Sequence, residues 1–165
     1  MRTLHLGARA FIPVALAGTI LFSVAPSTPA AAAATTEAQQ IVAIARAQLG
    51  DPWRYGAAGP YAFDCSGLVI YAYKKAGDGA VIRAGTLRSA RSIYLYFKSR
   101  GKASRTNPRL GDLVVWGYGS HIGIYIGNGK AISTLRNGVR IHGVYAVTAR
   151  FTAYLHTGMS AKPAS

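Results

Sequence analysis

Beyond Pro108 the apolar residues of this chain stop recurring at a helical interval and begin to alternate, and that switch bounds the folds open to it. Before it, three helices are predicted. Thr36 to Leu49 carries Ile41, Ile44, Ala45 and Leu49 on one face, with Thr36 and Gln39 spaced as a capping box and Gly50 as the stop. Cys65 to Ala76 buries Leu68, Val69, Ala72 and Tyr73, with Asp64 as N-cap and Gly77 beyond its end. Thr86 to Ser99 supplies Leu87, Ile93, Tyr94, Leu95 and Phe97, and Gly101 follows. After the switch, Leu113 to Trp116 reads as a strand buried on both faces. In His121 to Ile126 the isoleucines take one face, and His121, Gly123 and Tyr125 the other. Gly127-Asn128-Gly129 and Asn137-Gly138 are hairpin turns flanking a strand at Lys130 to Thr134, with another at Val139 to His142. Ala146 to Leu155 adds one or two more. Helices first and an antiparallel meander after them predict an α+β domain.

The N-terminus reads differently. Arg2 and Arg9 precede an apolar run from Phe11 to Ala25, and Pro26 to Ala34 is small-residue-rich with A-x-A patterns. This predicts a secretory signal peptide over 1–34, too short in its apolar part to be a stable membrane anchor. One domain is expected over 35–158, followed by a flexible tail over 159–165. Removing Arg2 and Arg9 from a net charge of +14 leaves +12. Such a basic, exported chain suits anionic wall polymers as partners. No nucleic-acid-reading motif accompanies the charge, so nucleic acid is not expected.

The only cysteine is Cys65, so no internal disulfide is possible. It stands where a turn-rich, aromatic segment with Trp53, Tyr55 and Tyr61 gives way to a helix. A thiol at a helix N-terminus is placed for nucleophilic work, with the dipole favouring the thiolate. It needs a base. Of His121, His142 and His156, the best placed is His121, at the start of a strand after a glycine-rich turn. One cysteine and scattered histidines have no metal-ligand spacing.

Three stretches now stand in order: Phe63-Asp64-Cys65-Ser66-Gly67-Leu68-Val69, Leu110-Gly111-Asp112-Leu113-Val114, and His121-Ile122-Gly123-Ile124-Tyr125-Ile126-Gly127-Asn128-Gly129. Together with the lead-in Gly50-Asp51-Pro52-Trp53-Arg54-Tyr55-Gly56, they resemble the signature of the NlpC family of bacterial cell-wall cysteine peptidases, over about Thr36 to His142. The resemblance implies a papain-like fold and a secreted endopeptidase acting at the cell wall. It would cut peptidoglycan stem peptides after γ-D-glutamyl, without metal or cofactor. Cys65 would be the nucleophile and His121 the base, and the Cys65 backbone N–H would help hold the oxyanion. Asp64 would contact the stem-peptide amino terminus as well as cap its helix, with Trp53, Tyr55 and Ser66 also on the substrate. Two positions depart from the family pattern. Ser133 stands where the third polar residue is usually histidine, and Trp53 where a tyrosine is usual. Ser133 should lie diagonally across from His121, and His142 on the next strand is the alternative third residue. These departures leave a second reading, a wall-binding module with little or no turnover. A third keeps the catalysis in an effector exported against competitor cells.

Overall fold

A computed structural model describes residues 35–164. The predicted signal peptide lies outside the described residues. Among the described residues three α-helices pack on a six-stranded antiparallel sheet, so the α+β expectation is borne out. Helix α1 spans Glu37–Arg46 and starts at the expected capping box, the Thr36 hydroxyl accepting from the Gln39 N–H and the Gln39 side chain accepting from the Thr36 N–H. Helix α2 spans Cys65–Lys75, and its N-cap Asp64 accepts from the Gly67 N–H at 2.6 Å. Helix α3 spans only Ala90–Lys98, starting later than Thr86. Ser89 caps it by accepting from the Ser92 N–H, and a capping serine in extended conformation keeps Thr86 to Arg88 out of the helix.

The strands are β1 (Ala103–Ser104), β2 (Leu113–Trp116), β3 (His121–Gly127), β4 (Lys130–Leu135), β5 (Gly138–Gly143) and β6 (Phe151–Leu155), in the order β1-β6-β2-β3-β4-β5. The whole of β2 is buried because both sheet faces are covered. Leu113, Val115, Ile122, Ile124 and Ile132 join the core under the helices, where Ile41, Leu68, Val69 and Tyr73 meet them. Val114, Trp116, Tyr125, Ala131 and Tyr154 form a second cluster on the opposite face. The predicted division of β3, isoleucines one way and Tyr125 the other, therefore holds. Tyr73 ties α2 to the turn before β2, its hydroxyl donating to the Gly111 carbonyl at 2.6 Å.

Ala146 to Leu155 yields one strand, within the one or two expected. Within the basic stretch 98–109, Ala103 and Ser104 pair with Leu155 and Tyr154 at the sheet edge. The segment after Gly158, expected to be a flexible tail, docks on α1. Met159 is buried, Lys162 reaches Asp78 at 2.6 Å and Glu37 at 3.7 Å, and Thr36 bridges Pro163. Glu37 and Asp78 are both buried, and a lysine brought to them offsets the cost of burying their charge.

Candidate active site

A groove of about 530 Å³ opens where the N-terminus of α2 meets the start of β3. Cys65, His121, Asp64, Ser66, Trp53 and Tyr55 all line it, so six of the seven expected site residues come together there. Ser133 is fully buried beneath it. Of the lead-in aromatics, Trp53 and Tyr55 form a wall; Tyr61 is exposed and takes no part in the lining. Gly67 explains how that wall is held. A Cβ there would collide with the Ala57 carbonyl oxygen, so only glycine lets the lead-in loop lie across the first turn of α2. The Asp64 N–H donates to the same carbonyl at 2.8 Å.

The Cys65 thiol lies within reach of the Ile122 backbone N–H, which sets it against the first residues of β3. Burial pushes the thiol up from its ordinary pKa and the Asp64 charge adds to this; the Ile122 N–H works the other way. The expected dipole-stabilised thiolate is therefore not the resting state. Burial dominates over the helix N-terminus, because the charged form loses its water. His121 moves in the opposite direction. Burial, with the neighbouring His142, holds its imidazole down at about 4. At neutral pH these shifts leave both groups uncharged where they line the groove together.

His121 starts β3, and Ile124 stands opposite Ile132 on β4. That register makes His121 and Ser133 diagonal neighbours, as expected. Nothing intervenes, because the residue between them is Gly123, where a Cβ would come within 2.8 Å of the Ser133 Cβ. His121 Nε2 is 2.9 Å from Ser133 Oγ, and Ser133 Oγ is 2.7 Å from His142 Nε2. His142 Nδ1 lies 3.0 Å from the Gly143 carbonyl oxygen. Ser133 and His142 were alternatives for the third position; the structure brings both to His121 in series. Trp116, buried, packs on both imidazoles at 5.2 and 5.6 Å between ring centroids. Its indole N–H is satisfied by the Val144 carbonyl.

Asp64 has partners on both oxygens. Oδ1 accepts from Gly67 N–H, Ser66 Oγ and Arg88; Oδ2 accepts from Gly56 N–H and again from Arg88, at 2.8 Å. Burial alone would raise its pKa, but the Arg88, Gly67 and Ser66 hydrogen bonds outweigh this and hold the carboxyl below its usual value. An ammonium reaching Asp64 would have to displace or share it with Arg88. Sequence reasoning placed Arg88 inside α3 and missed this pairing. It also missed Arg136, which lines the groove and lies 5.3 Å over the Trp53 ring. Neither carries a local signal, since both reach the groove only through the fold. Among the described residues no cluster of three or more metal-ligating side chains occurs. No helix among them is long and apolar enough to cross a membrane.

Residues 50–156 match the NlpC/P60 family. The chain is 38% identical over 109 residues to the probable endopeptidase p60 of Listeria monocytogenes, covering 62% of this chain and 21% of that protein. It is 37% identical over 100 residues to the murein DD-endopeptidase MepH of Escherichia coli, covering 57% of this chain and 35% of MepH. The chain thus spans well under half the length of these two curated relatives. Among solved structures it resembles RipD of Mycobacterium tuberculosis, described as a non-catalytic NlpC/p60 domain protein adapted to peptidoglycan binding. That likeness has a TM-score of 0.57 and 24% identity, covering 73% of this chain and 96% of RipD.

Proposed function

This chain belongs to the NlpC/P60 family, and we propose that it is a secreted cysteine endopeptidase of peptidoglycan stem peptides. The observation that carries this reading is the meeting of Cys65 and His121 on one groove. Cys65 Sγ attacks the scissile carbonyl as its proton passes to His121, and the base then returns that proton to the leaving amine. The Cys65 backbone N–H, at the first turn of α2, is a donor for the developing oxyanion. Trp53, Tyr55 and Ser66 line the substrate's path, and Asp64, locked to Arg88, shapes the groove's end. Cleavage after γ-D-glutamyl, ahead of the diamino acid, is the bond this reading assigns. The site of action is the cell wall, reached by removal of the segment 1–34.

The test is digestion of a stem tetrapeptide and of intact muropeptides by the protein and by Cys65→Ala, with products followed by mass. Cleavage after D-glutamate by the parent alone supports the reading; folded parent protein that cleaves neither substrate refutes it. What favours the alternative of a wall-binding module is Ser133, which stands where the family pattern has a histidine. Retention of muropeptides by protein that leaves them uncut would decide for that module.

A further inference from the structure

Resting on the peptidase reading, we propose that His142 is a positioning residue that acts through Ser133 to fix which nitrogen of His121 is the base. The Gly143 carbonyl can only accept, so His142 Nδ1, 3.0 Å away, carries a proton. In the neutral ring its Nε2 is then an acceptor, and Ser133, at 2.7 Å, donates its single hydroxyl proton there. Ser133 Oγ has only lone pairs left for His121, so His121 Nε2 at 2.9 Å is the donor. That leaves His121 Nδ1 as the ring's one proton acceptor. A serine alone could not dictate this. Its hydroxyl could turn and donate to His121 Nε2, which would put the ring proton on Nδ1 and abolish the base.

The fold holds each link. Ser133 is fully buried and Gly123 leaves its path to His121 open. His142 stands on β5 opposite Ala131, which makes it diagonal to Ser133 just as Ser133 is to His121. Trp116 bounds both imidazoles. When the Cys65 proton passes to His121 Nδ1, the imidazolium keeps its Nε2–H on Ser133 and Ser133 keeps its proton on His142. When the leaving amine takes the proton from Nδ1, the starting arrangement is restored and no proton is lost or gained along the chain. The residue at 133 thus loses an imidazole relative to the family pattern, and the neighbouring strand supplies one at one remove.

The test is a double-mutant cycle on muropeptide cleavage with Ser133→Ala, His142→Ala and both together, and with His142→Phe and His142→Gln. Each alanine variant, and His142→Phe, should lower kcat/KM about 10- to 100-fold, mostly in kcat. The double variant should be no worse than Ser133→Ala alone, because His142 acts only through the serine. His142→Gln, whose amide oxygen can accept from Ser133, should recover part of the loss. The acid limb of kcat/KM should move to higher pH in His142→Phe, since the second imidazole no longer opposes protonation of His121. Additive losses in the double variant, or parent-like kcat in His142→Phe, would overturn the proposal. Should the folded parent turn over nothing, the peptidase reading fails instead. The same cycle is then read as the iodoacetamide alkylation rate of Cys65, where additive effects or none would again overturn the relay.

Discussion

Two hydrogen-bonded histidine–serine clusters sit on one sheet, and they are built for opposite purposes. In one, His121, Ser133 and His142 follow one another without a carboxylate. In the other, Ser104 Oγ lies 2.7 Å from His156 Nε2, and His156 Nδ1 lies 2.8 Å from Asp112 Oδ2. By distances alone the His156 cluster is closer to a hydrolytic triad. Its surroundings say otherwise. Asp112 is buried and also accepts from the Arg109 and Thr157 backbone N–H groups, while the Ser104 hydroxyl lies 2.8 Å from the Thr106 carbonyl. This cluster clamps the turn before β2 to the edge strand β1 and the end of β6. The His121 cluster has fewer anchors, faces the groove and shares it with Cys65. Partner geometry does not identify a site; what the chain of hydrogen bonds ends on does. One ends on a carboxylate that holds backbone together, the other on an imidazole left free to take a proton.

The comparison is broken most severely by removing the reactive groups. Cys65→Ala and His121→Ala should each reduce muropeptide cleavage by about a thousandfold or more, with thermal midpoints within a few degrees of the parent. Asp112→Ala should do the reverse. It strands the Arg109 and Thr157 donors and the His156 ring, and should cost about 2–4 kcal/mol in urea unfolding, with activity per folded molecule retained. If Asp112→Ala instead abolished activity in folded protein, the division between clamp and site would fail. Gly67→Ala tests the wall between these extremes. Its methyl group collides with the Ala57 carbonyl, so a loss of about 1–3 kcal/mol is expected, together with a raised KM as the lead-in loop shifts.

A last effect is the pH dependence of stability from His121. Its folded pKa, about 4, lies below the ordinary 6.5, so between these values the unfolded chain takes up a proton that the folded chain refuses. Stability should fall as pH is lowered from 6.5 towards 4, and His121 should contribute nothing above that window. His121→Phe should flatten that part of the profile. An unchanged slope would mean that the imidazole is better solvated than its burial implies.

How far the sequence led depended on the range of the interaction. Local chemistry was legible: the Thr36 and Asp64 caps, the face-splitting of β3, Gly77 just past the end of α2 and Cys65 at the helix start all follow from neighbours a few residues apart. Features decided by distant partners were not. The two-residue β1 exists only because β6 is there to pair with it. The docked end of the chain depends on Lys162 meeting two buried carboxylates from α1 and the end of α2. Arg88 reads as a helical residue until Asp64, 24 positions earlier, is seen to hold it. Ser133 and His142 were rivals in the sequence because residue spacing does not say whether two strands place their side chains in parallel or in series. The register does.

The most direct measurement is the rate at which iodoacetamide alkylates Cys65 at pH 7, followed by intact mass, in the parent, His121→Ala and Asp112→Ala. If His121 is the base for Cys65, the parent should take up one equivalent and His121→Ala should react at least about tenfold more slowly, with Asp112→Ala matching the parent. A Cys65 that is inert, or that reacts at one rate in all three proteins, would contradict the account.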